Sequence, residues 1–314
     1  MPGPVVALAG GVGAARFLRG VAAAVPPGEV VAIVNTGDDH PFYGVHVSPD
    51  LDIVLYTLAG RIHPERGYGL AGDSFAVVDA LGALGHETWF RLGDRDFATC
   101  LHRTLRLRAG ERLAAVTDGI RRAFGVETHV LPMSEDPCPT FVTLDGGRRV
   151  HFEEYLARDG APDDVRGVDL SAARAARPAP GVLEAIAKAR ALLVCPSNPV
   201  VSIGPILAVP GIREALAAAR APVVAISPII AGAPVKGPAD RLLRGIGVEV
   251  SARGVAGLYR DIARGFVLDE RDAALAPDIE ALGVRTAVLD TLMRDTATSI
   301  RLAEAALGLA ASLE

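Results

Sequence analysis

Val30-Val31-Ala32-Ile33-Val34 runs directly into Asn35-Thr36-Gly37-Asp38-Asp39, and Ser48-Pro49-Asp50-Leu51-Asp52 follows shortly after. The apolar run is short, β-branched and bounded by Gly28 and Gly37, the pattern of a buried strand. Acids at the exit of such a strand lie where open α/β sheets place their ligands. Asp38, Asp39, Asp50 and Asp52 repel one another there unless a positive charge or hydrogen-bond donors hold them. A divalent cation is the simplest agent. Mg²⁺ needs only one or two protein carboxylates, since water and phosphate oxygens complete its shell. Ser48 suits an N-cap and Pro49 the first helical position, so Asp50 reads as a capping or first-turn acid. Asp52 lies farther into the helix start, where its carboxylate can face the cleft.

The α/β rhythm extends both ways from this block. Pro4–Ala9 reads as a strand, Gly10-Gly11-Val12-Gly13 as a turn, and Ala14–Ala24 as a helix stopped by Pro26-Pro27. Leu51–Leu58, Ser74–Leu84, Phe97–Leu107 and Ala114–Phe124 read as helices, with strands at Thr88–Leu92 and Thr128–Pro132. The character changes after Ser134. Phe141–Leu144 and Arg148–Tyr155 flank the turn Asp145-Gly146-Gly147 as a β-hairpin, and the polar, Pro-containing stretch Ala157–Pro180 reads as a loop. The rhythm then resumes with helices Val182–Ala189, Ile212–Ala219 and Ala239–Ile246 and strands Ala191–Cys195 and Pro222–Ile226. Val284–Leu289 is a late strand and Ser299–Leu309 a final helix. This alternation predicts an α/β fold, a parallel sheet with helices on both faces. Residues 1–133 and 190–314 carry it, and 134–189 form a small inserted α+β lobe of hairpin and loop.

With 314 residues, 50% hydrophobic and 22% charged, the chain has a globular composition and enough length for a large core. Its net charge of −5 leaves no electrostatic footprint for nucleic acid. The densest basic stretch, Arg91 to Arg112 with Arg95, Arg103, Arg106 and Arg108, is interleaved with leucines at helical spacing and reads as a solvated helix face. One or two of its arginines can still point into an anionic site. Cys100, Cys138 and Cys195 are far apart and form no Cys-x-x-Cys pair, so they are expected to be reduced thiols. The N-terminus lacks the basic region of a signal peptide, and no apolar run approaches a membrane span. A soluble, cytoplasmic protein without membrane association is expected.

Four further motifs sit at strand exits. Gly10, Gly11 and Gly13 let a backbone approach a phosphate at the start of the next helix, although the turn is neither G-x-G-x-x-G nor a Walker loop. The structural alternative is a tight strand–helix turn. Trp89-Phe90-Arg91-Leu92-Gly93-Asp94-Arg95-Asp96 either pairs its charges locally or offers Arg91 to a phosphate. Cys195-Pro196-Ser197-Asn198-Pro199, followed by Ser202-Ile203-Gly204-Pro205, is a rigid polar turn whose Ser197 and Asn198 can bind a nucleotide. The loop Ser227–Pro238 carries Lys236 and either lines a ligand or packs on the core. His40, His46 and His63 lie near the acids without metal-ligand spacing, and no nucleophile elbow is present.

Together these blocks resemble the 2-phospho-L-lactate transferase family of coenzyme F(420) biosynthesis. The match is carried by Ala9-Gly-Gly-Val-Gly-Ala-Ala-Arg-Phe17, Asn35-Thr-Gly-Asp-Asp39, Ser48-Pro-Asp-Leu-Asp52, Leu92-Gly-Asp-Arg-Asp96, Pro132-Met-Ser-Glu-Asp-Pro137 and Pro196-Ser-Asn-Pro-Val-Val-Ser-Ile-Gly-Pro205. The Ser227–Pro238 loop and Asp290-Thr-Leu-Met293 also fit, so the match spans nearly the whole chain. The resemblance implies a Rossmann-like nucleotide-binding core, Mg²⁺ dependence and a homodimer. It implies that the deazaflavin Fo (7,8-didemethyl-8-hydroxy-5-deazariboflavin) attacks a guanosine-diphosphate-activated three-carbon acid, phosphoenolpyruvate or 2-phospholactate, through its ribityl hydroxyl, with loss of GMP. By similarity Asp52 and Arg91 contact Fo. Arg91 stands where archaeal relatives tend to carry Lys, and Glu135 where Asp is more usual. The expected metal ligands are Asp52 with Asp38 or Asp39. Asp52 alternatively orients or deprotonates the Fo hydroxyl as the catalytic residue. Gly10, Gly11, Gly13, Ser197 and Asn198 are expected at the nucleotide.

Two other classes compete. A non-catalytic nucleotide-binding regulator resembling the gluconeogenesis factor shares the Gly-rich start, and would ignore Fo. A dinucleotide-dependent dehydrogenase is disfavoured by the missing G-x-G-x-x-G.

Overall fold

The computed structural model describes residues 3–26 and 28–313, so Pro27 of the expected helix stop lies outside the described residues. Strand β1 (Val5–Ala9) lies between β2 (Val30–Val34) and the strand Ala191–Val194. They belong to a seven-stranded sheet ordered Arg285–Leu289, Gly265–Asp269, Val223–Ile226, Ala191–Val194, β1, β2, His129–Pro132. Every neighbouring pair in it is parallel. The chain first builds outward from β1 through β2 to His129–Pro132, then returns to build from the other side of β1. The sheet therefore has a topological switch point between β1 and Ala191–Val194, where the loops leaving the two strands diverge and open a crevice.

Both faces of the sheet are buried. Alternation along β1 sends Val6 and Leu8 into one core and Val5, Ala7 and Ala9 into the other, as a period of two residues requires. On the second face lie α1 (Gly11–Ala24), α2 (Pro49–Leu58), the helix Leu113–Ala123 and the C-terminal helix Thr296–Ala311. On the first lie helices from the later part of the chain, including Val182–Lys188, Ile212–Ala218 and Ala252–Tyr259. A three-stranded antiparallel sheet of Phe141–Leu144, Arg149–His151 and Val165–Asp169 also lies there. Its Val142, Leu144 and Val150 share one core with Val6 and Leu8.

The two acid blocks meet because the residues between them fold away. β3 (His40–Phe42) and β4 (Val45–Val47) form a hairpin, with Tyr43 and Gly44 at φ of 51° and 79°. The chain thus reverses in two residues and brings Ser48 back beside Asp39.

Several elements differ from the sequence expectation. Thr88–Leu92 is not a strand. Phe90 stacks on Phe42 with ring centroids 3.7 Å apart, and its carbonyl accepts a hydrogen bond from the Tyr43 hydroxyl at 2.6 Å, so side chains rather than a sheet ladder satisfy this stretch. Helices α3 (Ala76–Ala83) and α4 (Asp94–Arg108) begin later and earlier than expected because they cap each other. Asp94 accepts from the Ala76 and Val77 amides, and Asp73 from those of Arg95 and Asp96. The second hairpin strand ends at His151, and Glu154–Arg158 turns helically. Ala157–Pro180 is not all loop. It holds the strand Val165–Asp169 and the short helix Ser171–Ala175, concealed in the sequence by solvent-facing ion pairs such as Arg149–Asp169 and Arg166–Asp145.

The helix α1 crosses Thr296–Ala311 at Gly20, where a Cβ would sit 2.2 Å from the Ser299 carbonyl oxygen. Gly20→Ala is expected to destabilise the protein by about 1–3 kcal/mol through overpacking, read as a lower urea midpoint with an unchanged slope.

Candidate functional site

A cavity of about 820 Å³ opens at the switch point and takes residues from every loop that leaves the central strands. Gly10, Gly11 and Gly13 line it, as do Asp38, Asp50 and Asp52. Arg91, Ser197 and Asn198 line it from the other expected motifs. Asp39 is absent from the lining. Its Oδ2 accepts from Ser48 Oγ at 2.7 Å and lies 2.9 Å from His46 Nε2. Ser48 therefore serves Asp39 instead of capping α2 with its side chain.

The glycine turn packs against protein. A Cβ on Gly10 would meet Asp50 Oδ2 at 2.6 Å, and one on Gly13 would meet the Pro196 carbonyl at 2.4 Å. The Gly11 amide donates to Asp50 Oδ1 at 2.7 Å, and Asn35 Nδ2 donates to Asp50 Oδ2 at 2.9 Å. Asn35 also reaches the Val201 carbonyl and accepts from the Gly37 amide. Asp50 thus ties the exits of β1 and β2, and Asn35 extends the tie to the loop after Ala191–Val194.

The acids fall into two groups. Asp38, Asp50 and Glu153 are buried at the cavity wall, and no arginine or lysine pairs with them among the described residues. Burial, then the neighbouring charges of Asp50, Glu153 and Asp39, push Asp38 well above the usual carboxylate range. Asp50 rises to about 6 through burial, against the lowering effect of its Asn35 and Gly11 hydrogen bonds. Glu153 rises to about 8 through burial and the Asp50 charge. Asp38 Oδ1 is buried with no hydrogen-bond partner. An orphaned carboxylate oxygen beside two further acids fits a hard divalent cation.

The second group has its cation built in. Asp52, Asp96 and Cys100 offer ligand atoms within 4.8 Å of one another. Yet Arg103, fully buried on α4, engages both oxygens of Asp52, donating to Oδ1 through Nη2 and to Oδ2 through Nη1. A bidentate guanidinium already neutralises that carboxylate. Burial drives the Cys100 thiol well up and so keeps it protonated, which makes it a poor ligand. Asp96 accepts from the Tyr56 hydroxyl at 2.8 Å, and burial beside Asp52 raises it to about 7. Arg103 is the arginine of the basic stretch that points inward. Its spacing from Cys100 places both on the buried face of α4.

The opposite character appears around Arg91. Phe75, Trp89 and Phe90 line the cavity there. Arg91 lies 4.7 Å above the Phe75 ring and pairs with Asp79 at 2.7 Å. Near the switch point, Ser197 Oγ is buried without a partner, while Asn198 Oδ1 closes its own turn by accepting from the Val200 amide. Sequence reasoning did not single out Glu153. It follows a polar hairpin in the insertion, and nothing in the local pattern marks it. Asp96 and Arg103 were visible only as parts of a motif and a basic stretch.

Parallel strands and a crevice at their switch point, opening on a cavity lined by acidic and aromatic side chains, define an α/β protein of Rossmann-like character. The sequence model of 2-phospho-L-lactate transferase CofD matches residues 5–295. The chain is 49% identical to a phosphoenolpyruvate transferase of Kitasatospora aureofaciens, over 98% of this chain and 97% of that one. It is 41% identical to a 2-phospho-L-lactate transferase of Methanosarcina mazei, over 96% and 98% of the two chains. A Bacillus halodurans protein of the upf0052 family has the same fold, with a TM-score of 0.62 at 20% identity over 98% of this chain and 99% of that one. The chain belongs to the 2-phospho-L-lactate transferase CofD family, transferases of coenzyme F(420) biosynthesis. No helix among the described residues is long and apolar enough to cross a membrane.

Arg103→Met leaves Asp52 buried and uncompensated, and is expected to cost about 3–5 kcal/mol of stability, measured by chemical denaturation. Asp52→Asn strips Arg103 of its counter-charge in turn, so that change perturbs fold and site together. The folded protein holds the Glu153 proton up to about 8, against an ordinary value of 4.5. With chelator present, stability therefore falls as pH rises through that window. Melting temperatures at about pH 5 and about pH 8 check this, and Glu153→Gln is expected to flatten the decline.

Proposed function

We propose that this chain joins a phospho-three-carbon acid, delivered by a guanosine-diphosphate-activated donor, to the ribityl hydroxyl of Fo and releases GMP. The observation that carries the reading is one cavity in which buried acids without a cation share a wall system with an aromatic end. The first suits a diphosphate accompanied by a divalent cation, and the second a flat deazaflavin. Membership of the family supports the reaction class. The preferred three-carbon group is enolpyruvate, since relatives named phosphoenolpyruvate transferase reach 44–49% identity.

In this reaction the acceptor hydroxyl oxygen bonds to the phosphorus that carries the three-carbon acid. The bond from that phosphorus to the GMP phosphate oxygen breaks, and the hydroxyl proton departs. Such a transfer depends on in-line positioning and on neutralising phosphate charge. Asp38, Asp50 and Glu153 are the residues suited to hold Mg²⁺, because they line the cavity, whereas Asp39 is absent from its lining and Arg103 engages both oxygens of Asp52. When bound, Mg²⁺ supplies charge neutralisation at the diphosphate. Asp52, oriented by the bidentate Arg103 guanidinium, is suited to hold the acceptor hydroxyl. Trp89, Phe90 and Phe75 offer faces for the ring of Fo, with Arg91 at its edge. Ser197 Oγ is a free hydroxyl for the nucleotide.

Incubation with Fo, Mg²⁺ and each guanosine-diphosphate donor, followed by product mass, tests the reaction. GMP and a phospho-acid ester of Fo are expected, and a protein that neither binds Fo nor releases GMP refutes the reading. Glu153→Gln is expected to lower turnover by about 10²-fold while raising the melting temperature near neutral pH, because it removes an uncompensated buried acid. Full turnover in that variant would take Glu153 out of the site.

A further inference from the structure

A helix N-terminus ordinarily attracts phosphate through free amides and its dipole. In this protein the Gly11 amide is already donated to the Asp50 carboxylate. Negative charge therefore stands where a phosphate would dock on α1. A diphosphate entering the cavity needs cations from another wall.

Arg16, Arg66 and Lys236 line the same cavity, and none of them has a carboxylate within ion-pair distance among the described residues. They come from three separate segments that meet. Lys236 Nζ donates to the Arg66 carbonyl. A Cβ on Gly67 would lie 2.7 Å from Val12 Cγ1 and 3.7 Å from Lys236 Nζ, so the chain at Gly67 is wedged between the glycine turn and the Lys236 loop. Arg16 lies on α1, beyond that turn. Arg66 Nε is buried with no partner. Burial, and then the charge of Arg16, pull the Lys236 ammonium below its usual range, which places the two cations near one another. The Arg66 guanidinium lies over the Tyr68 and Phe75 rings, at 5.8 and 5.4 Å, and Lys236 Nζ lies 5.5 Å from the Tyr68 ring. Ring faces offset part of the repulsion between such cations, and an anion in the space between them offsets more.

We propose that Arg16, Arg66 and Lys236 form the diphosphate subsite, and that these side chains hold the donor's phosphates in place of the Gly11 amide, which Asp50 already occupies. The inference rests on the nucleotide-donor reading above and deepens it. The ligand chemistry is a nucleoside diphosphate or its ester, with phosphate oxygens meeting two guanidinium groups and one ammonium.

The test titrates guanosine diphosphate and inorganic pyrophosphate into the full chain in Mg²⁺ buffer, with Fo fluorescence as the control ligand. Both anions are expected to bind the unaltered protein. In Arg16→Met and in Lys236→Met, affinity for both is expected to fall at least about tenfold, with Fo affinity within about twofold of the unaltered value. Arg16→Lys is expected to recover part of the loss. Lys236 is an exposed loop residue, so Lys236→Met is expected to keep the melting temperature and to report on binding alone. Guanosine diphosphate binding that is unchanged in both Met variants overturns the inference and leaves the transferase reading standing. No guanosine diphosphate binding by the unaltered protein overturns both.

Discussion

One buried carboxylate holds the site together. Asp50 accepts from the Gly11 amide after β1 and from Asn35 after β2, and Asn35 carries the link to Val201 in the loop beyond Ala191–Val194. The exits of three neighbouring parallel strands are thereby tied at the switch point. The tie requires Gly10, since a side chain there would collide with Asp50 and Ser202. A buried acid with neutral donors alone is not a comfortable group, and its pKa near 6 reflects that. It persists because a satisfied polar network in a low-dielectric interior is rigid and mutually reinforcing.

Around this tie the protein segregates charge. Asp52 has Arg103, so its carboxylate is fixed and neutralised from the side of α4. Asp38 and Glu153 have no such partner among the described residues, and burial raises them as it raises Asp52. Two acid groups that look alike in composition thus differ in what they lack. One contains an arginine that engages its central carboxylate, and the other has no cation among the described residues. Arg16, Arg66 and Lys236, which have no carboxylate partner among the described residues, line the same cavity, so it presents both signs of charge.

Much of the fold was legible because its strands are apolar runs between glycines and its helices have one apolar face. β1, β2 and Ala191–Val194 could be located within a residue or so. The insertion was harder. Val165–Asp169 is paired on one edge and pairs its outward charges with Arg149 and Asp145 across the small sheet, so it lacks the alternation that marks a half-buried strand. Thr88–Leu92 is rich in strand-favouring residues and is not a strand, since Trp89 and Phe90 both pack on Phe42 of β3 instead. The site was legible to the extent that its residues lie at strand exits. Glu153, Asp96 and Arg103 lie elsewhere, and no local pattern distinguishes them from solvated charges.

Sequence alone determined the parallel α/β architecture, the family, and the set of loops that surround the cavity. These follow from periodicity, turn residues and motif order, all of which are local or linear properties of the chain. Tertiary structure alone decided which aspartate has a counter-ion. Arg103 reaches Asp52 from a distant helix, Ser48 turns to Asp39, and Asp50 takes the amide that a phosphate was expected to use. Charge compensation is a through-space property that falls steeply with distance and rises with burial, and neither quantity is written in the order of residues.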